Sequence, residues 1–219
     1  MDGEAPTLAR GLLMASLRRI FAAVRAPLCR MQVSCRILLV AGALASLSVS
    51  AQVLEGRGSC RAGTPQGAWK LAAPDGTLRA IGAFAQGRRT GSFIFWNAAG
   101  VRVAHLPYED DAMNGTLALW YETPVQNGEG QQRLEAVYAH GKLDGRKRSW
   151  HANGRLRGEY TYANDVLLDA RAWDGRGDAL PEAEARAQAK AELRAESAYY
   201  RTLDALVNQH RPCQESVDR

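Results

Sequence analysis

Apolar residues are distributed in three different ways along this chain of 219 residues. They first form one unbroken run, Ile37–Leu47. From about residue 64 to 175 they occur in short β-rich stretches separated by Gly, Asn and Asp. After Leu180 they thin out to single positions at helical spacing among Ala, Glu, Arg and Gln. Each distribution predicts a different kind of element.

The middle region is periodic. Gly67, Gly91 and Gly115 stand 24 residues apart, Gly145 follows after 30, and Asp169 takes the next place after 24 more. Nine residues after three of these glycines come Gly76, Gly100 and Gly154, and in the third unit Gly130 is displaced by a six-residue insertion within Thr123–Gly130. With that allowance Phe84, Tyr108, Tyr138 and Tyr162 share one column, and Ala72, Trp96, Trp120 and Trp150 share another. A third column holds Gly87, Asp111, Gly141 and Asp165. Several columns agreeing under one insertion make an internal repeat. Each unit reads as a hairpin: Ser92–Trp96 is β-rich, Asn97–Gly100 turns, and Val101–Leu106 returns. Gln86-Gly87 and His140-Gly141 mark the turns that join one hairpin to the next. One hairpin buries too little surface to stand alone, whereas a stack does not.

The stretch Gly82–Gly100, Gly-Ala-Phe-x-x-Gly-x-x-x-Gly-x-Phe-x-Phe-Trp-x-x-x-Gly, resembles the bacterial MORN-repeat variant, as does Tyr138–Gly154. Proteins with this variant include YwqK-type antitoxins. The resemblance covers about residues 64–175 and departs from the pattern in the fifth unit, where Asp165 and Asp169 replace turn glycines. It implies a non-enzymatic scaffold that binds protein or lipid.

Beyond Leu180, Pro181 suits a first helical turn and Glu182 and Glu184 favour the positive end of the helix dipole. Ala189, Leu193, Tyr200, Leu203, Leu206 and Val207 fall on one arc, interrupted by Glu196. Pro212 disfavours helix before it. The predicted helix, Pro181–Asn208, has 28 residues and a length of about 42 Å. Ten strands make a sheet about 45 Å long. The lengths match, so the expected fold is mainly β: an elongated single-layer antiparallel sheet of stacked 24-residue β-hairpin repeats, with a long C-terminal α-helix packed along it. The alternative is a helix extending into solvent as a partner arm.

The run Ile37–Leu47 is too short to span a bilayer and suits a signal-peptide core. Val49-Ser50-Ala51 supplies small residues for cleavage before Gln52, and a start at Met31 would give a leader of ordinary length. Residues 1–30 then read as an upstream extension, or alternatively as a basic amphipathic targeting helix. The expected organisation is a leader over 1–51, with the signal peptide at 31–51, a repeat domain over 52–178, and a helix over 179–219 packed on it. Cys29 and Cys35 leave with the leader, while Cys60 and Cys213 remain. In an exported protein they read as a disulfide, the alternative being two unpaired thiols.

Net charge changes little in this picture. The formal charge is +5, but residues 52–219 hold 22 Lys+Arg against 21 Asp+Glu. The excess base lies in the leader, which argues against a nucleic-acid partner. None of the four His shows HExxH spacing or lies near a metal-ligand Cys, and no GxSxG elbow or P-loop is present. No cofactor and no metal is expected. Two features remain for binding. Arg146, Lys147, Arg148, Arg155 and Arg157 form a basic hairpin, readable as an anion or phospholipid-head contact or as a solvated face. Lys147 and Ser149 stand where Phe93 and Phe95, then Leu117 and Leu119, stand in earlier units, so this face turns from apolar to basic. Trp96, Trp120 and Trp150 read as repeat core, or else as an open ladder for sugars or lipid head groups.

These features point to a non-enzymatic, periplasmic or secreted repeat protein that binds another protein, as an envelope scaffold or an antitoxin- or immunity-like factor. A phospholipid- or glycan-binding envelope protein is the alternative, and a small hydrolase the second. Once the leader is cleaved, nothing in the sequence would make it an integral membrane protein.

Overall fold

The computed structural model describes residues 53–124 and 130–213. The leader, with Cys29 and Cys35, and the middle of the insertion at 125–129 lie outside the described residues. The described residues fall in one compact unit.

Eleven strands form one antiparallel sheet. They are β1 (Glu55–Arg61), β2 (Thr64–Ala72), β3 (Leu78–Ala85), β4 (Arg88–Trp96), β5 (Arg102–Glu109), β6 (Ala112–Met113), β7 (Gly115–Pro124), β8 (Gly130–Ala139), β9 (Lys142–Trp150), β10 (Leu156–Ala163) and β11 (Val166–Ala172). Chain order is sheet order, except that the two-residue β6 pairs with β5 beside the main path. One helix, α1 (Glu182–Gln209), follows. It has the expected 28 residues, displaced by one because Pro181 is the N-cap rather than the first helical residue.

Five joints between strands place two successive residues in the left-handed region: Ala62-Gly63, Gln86-Gly87, Asp110-Asp111, His140-Gly141 and Asn164-Asp165. That pairing gives the tight hairpin turn whose twist matches the flanking strands. Asp replaces Gly at two joints for a visible reason. The Asp111 carboxylate accepts the backbone N–H of Arg89 at 3.0 Å, and that of Asp165 accepts the N–H of Leu143 at 2.8 Å. Each ties its turn to the start of a strand in the neighbouring hairpin.

The repeat columns are columns of the sheet. Gly67 lies opposite Phe84, Gly91 opposite Tyr108, Gly115 opposite Tyr138, and Gly145 opposite Tyr162. The second and fourth residues after each glycine point to one face: Trp69 and Leu71, Phe93 and Phe95, Leu117 and Leu119, Lys147 and Ser149. All eight are buried, and with the Phe84–Tyr162 column they form the layer beneath the helix. The Trp column is displaced from this layer. Register shifts directly before Ala72, Trp96 and Trp120 take these positions out of the layer, at the strand ends for Ala72 and Trp96 and within β7 for Trp120. Trp96, Trp120 and Trp150 are half-buried, so the expectation that they make the core is corrected.

The helix covers the apolar face. Its buried residues are Ala185, Ala189, Glu192, Glu196, Tyr200, Leu203 and Val207, each three or four residues after the last as one stripe requires. At its end the Trp69 indole N–H donates to the His210 carbonyl at 2.8 Å. Cys213 then forms a disulfide with Cys60 on β1, with Cα atoms 5.8 Å apart. The other face of the sheet carries no layer among the described residues. A row of cross-strand partners runs over it: Lys70, Ile81, Ile94, His105, Ala118, Glu135, Arg148 and Glu159. It is aliphatic towards β3 and β4 and alternates acid with base towards β10.

Candidate functional site: the flank of the helix

The basic hairpin is not one surface. Lys147 points to the helix and is fully buried. Its ammonium lies 2.9 Å from Glu196 Oε1 and 3.7 Å from Glu192 Oε2, with those side chains 11% and 8% exposed. Arg157 reaches Glu192 Oε1 from the groove side at 3.1 Å, and the Ser149 hydroxyl donates to the same oxygen at 3.1 Å. Arg148 lies on the opposite face and pairs with Glu135 at 3.3 Å. Arg155 donates to the Arg176 carbonyl, and Arg146 is exposed. Alternation along a strand sends neighbours to opposite faces, so Lys147 and Arg148 could not share a contact surface. The reading of these five residues as one contact surface for an anion or a phospholipid head is therefore corrected.

What occupies the helix side instead is an ionic knot beneath the middle of α1, in which the buried Glu192 Oε2 makes no hydrogen bond. Burial pushes the Glu196 carboxyl above its ordinary range, against the pull of the Lys147 ammonium. Both glutamates lie one turn apart on the buried stripe. The signal was present in the sequence as a Lys in the Phe93–Leu117 column and a Glu within the helical arc. Joining the two requires the register of helix on sheet.

Between α1 and the strand ends that carry Trp96 and Trp150 runs an open groove. Tyr199 divides it into two chambers. The first, about 540 Å³, is walled by Phe95, Trp96, Val103, Leu203 and Leu206, with Arg79, Asn97, Thr202 and Gln209 at its rim. The second, about 430 Å³, is lined by Trp150, Ser149, Arg133, Arg157 and the two glutamates of the knot. Alanines 191, 195 and 205 on the helix leave the space. The Arg79 Nε–H donates to the Trp96 carbonyl at 3.2 Å. The guanidinium of Arg133 stands over the Tyr199 ring, 5.3 Å from its centroid, and among the described residues no carboxylate comes within ion-pair distance of it. Trp120 is matched by another stacked cation, Arg102, at 4.1 Å. Sequence reasoning named Trp96 and Trp150 but missed Arg79, Arg133 and Tyr199. Arg79, Arg133 and Arg157 share one repeat column, 12 residues after the glycine once the insertion is counted, and that column was the available signal.

A third cluster flanks the helix on its other side. Arg89 pairs with Asp111 at 2.9 Å and with Asp204, and the Tyr108 hydroxyl donates to Asp204 at 3.1 Å. Each charge there has a partner, so this cluster fixes the helix. The histidines are dispersed: His140 sits in a joint, His151 bonds the Trp173 carbonyl, and His105 meets the Ser92 hydroxyl on the open face. Among the described residues no group of three His, Cys, Asp or Glu could hold a metal ion. No protein-family model matches the chain, and no curated protein matches it.

Proposed function

We propose that this protein acts by binding rather than by chemistry, as an exported repeat protein that holds another protein along the flank of its helix. The observation that carries this reading is the composition of the groove. Trp96, Trp150, Tyr199, Arg79 and Arg133 converge on one open trough, and Trp, Tyr and Arg are the residues that dominate binding energy at protein interfaces. The Cys60–Cys213 disulfide supports an oxidising compartment, as the Ile37–Leu47 run does from the sequence side. No helix among the described residues is long and apolar enough to cross a membrane. The resemblance to the MORN-repeat variant supports a scaffold or an immunity-like role within this class. The phospholipid reading loses its support, since the basic residues it used are split between two faces.

The test is site-specific photo-cross-linking in cells. A photoreactive residue at Ala195 or Thr202, both exposed in the groove, should give a discrete protein adduct that Trp150→Ala diminishes. One at Thr116, on the open face, should give none. Adducts from Thr116 alone, or from no position, would sink the proposal.

A further inference from the structure

The groove has a chemistry of its own, and this inference rests on its being the binding surface. Its two chambers differ. The first is an apolar trough lined also by the polar groups of Asn97, Thr202 and Gln209, the Arg79 guanidinium and the Glu122 carboxylate. The second is lined by two carboxylates and two cations, with Lys147 buried behind them, and both carboxylates are ion-paired. Glu196 is held by Lys147, and Glu192 by Arg157, Ser149 and Lys147. The charge left in that chamber to face a ligand is Arg133, its guanidinium carbon 5.3 Å from the centroid of the Tyr199 ring. A cation–π contact holds a guanidinium through its ring and leaves its N–H donors available to a carboxylate.

We infer that the groove receives an extended peptide segment of the partner that places an aliphatic or aromatic side chain in the Trp96 chamber and a carboxylate on Arg133. Trp96 on β4 and Arg133 on β8 are three strand-to-strand steps apart along the sheet. At about 4.8 Å per step this is about 14 Å, the reach of about four extended residues. The trough is open along its length, which suits a peptide better than an acyl chain. An acyl chain in an open trough keeps one side in water and loses the gain of burial. A peptide backbone needs that open side, because its outward N–H and C=O groups would otherwise go unpaired. The polar rim supplies partners for the groups that face inward.

The experiment pans phage-displayed heptapeptides against the disulfide-linked full chain recovered from cells. Enriched sequences should carry Asp or Glu about four positions from a Leu, Ile, Phe or Trp. The best peptide and a twin with its acid replaced by Gln are then titrated against wild type, Arg133→Gln and Trp96→Ala. The acidic peptide should bind wild type at least tenfold tighter than its twin. Arg133→Gln should erase that difference without changing the twin, and Trp96→Ala should weaken both. If Arg133→Gln fails to fold, the wild-type preference for the acidic peptide at 50 mM and 300 mM salt decides, since a carboxylate–guanidinium contact is screened. Absence of enrichment, enrichment of peptides without an acid, or equal loss of both peptides in Arg133→Gln overturns the inference. So does Trp150-dependent binding of polygalacturonate oligosaccharides where no peptide binds, which would make this a glycan site. Cross-linking at Ala195 and Thr202 reads separately: adducts there with failed panning would leave the groove as the binding surface and discard only the peptide chemistry.

Discussion

The two ends of the covered face use the same backbone columns for opposite chemistry. Towards β2–β5 the helix rests on rings. Trp69 meets Phe84 edge-on at 6.2 Å, Phe93 meets Phe84 at 5.7 Å, and Phe93 meets Tyr108 at 5.4 Å, under Leu203 and Val207. Towards β9 the position of Phe93 is taken by Lys147 and that of Phe95 by Ser149, and the helix answers with Glu196 and Glu192. The repeat therefore fixes where side chains point but not what they are, provided that sheet column and helix stripe change together. The aromatic end is non-directional and tolerates sliding. The ionic end does not, because a helix moved by one turn would bury both carboxylates away from their cations. Such a knot adds little net stability and is best understood as setting register.

The largest expected effects come from breaking either end by one residue. Lys147→Ala leaves two buried carboxylates short of their shared cation and should cost about 3–5 kcal/mol. Phe93→Ala leaves a ring-sized cavity and should cost about the same. The comparison sharpens with a second substitution. Lys147→Leu combined with Glu196→Leu should recover most of the loss, because an apolar pair of similar volume replaces a buried ion pair at little cost. No helix substitution should rescue Phe93→Ala. Urea unfolding midpoints measure all four proteins. A double variant as unstable as Lys147→Ala would show that the knot supports the fold itself and not its register.

The disulfide comes next and belongs to the aromatic end, where it ties the segment after α1 to β1. It spans 153 residues of sequence, and on a chain-entropy account removing a link of that size costs about 3–5 kcal/mol, less if the reduced state keeps structure. Cys60→Ser with Cys213→Ser should also make amides of the last helical turns exchange faster than those near Ala185. Uniform change along the helix would place the ionic end, and not the disulfide, in control of docking.

How much of this was legible follows from particular residues. The hairpins could be read because Gln86-Gly87 and His140-Gly141 announce their turns locally. The helix could be read because its arc repeats at 3.6 residues. The Trp column misled because a register shift before Trp96 and Trp120 breaks the alternation, and sequence does not display such shifts. The knot and the groove were illegible for a deeper reason. Glu196 looks like a blemish and Arg133 like a solvated charge until the helix is laid on the sheet, and that register belongs to neither element alone.

A smaller effect concerns the column glycines. A Cβ at Gly91 would meet nothing within 4 Å. Its requirement is conformational: φ is +69°, which an L side chain adopts at a cost of about 1–2 kcal/mol. Gly82, by contrast, lies under the Phe93 ring, and its Cβ would come within 2.4 Å of that ring. Gly91→Ala should thus lower stability by about 1–2 kcal/mol with the core unchanged, whereas Gly82→Ala should disturb the aromatic end. The near-ultraviolet circular dichroism of the rings separates the two: unchanged in the first variant and altered in the second. Altered ring signals in Gly91→Ala would show that this glycine has a packing role as well.

The smallest effect is the pH dependence of the ionic end, and its sign is fixed by Glu196. Burial holds this carboxyl above its ordinary range in the folded chain despite Lys147, whereas the unfolded chain returns it to about 4.3. The folded state therefore binds the proton more tightly. Glu196 contributes stability when protonated and loses that contribution as pH rises through its folded value. Other carboxylates act in the opposite sense. Burial raises Asp111, but the backbone and guanidinium N–H groups of Arg89 outweigh it and hold Asp111 low, so its contribution is lost in acid. The total curve mixes these, and only a difference isolates Glu196. Glu196→Gln cannot ionise and mimics the protonated form. Wild type and Glu196→Gln should be closest to each other below the unfolded value of about 4.3, with wild type falling behind the variant as pH rises through the folded value. Unfolding midpoints of both proteins, taken at half-unit steps of pH, trace the difference directly. If wild type gains on Glu196→Gln as pH rises, Lys147 stabilises the ionised carboxylate more than burial opposes it. The ionic end would then be a net source of stability, and the contrast with the aromatic end would be one of chemistry alone.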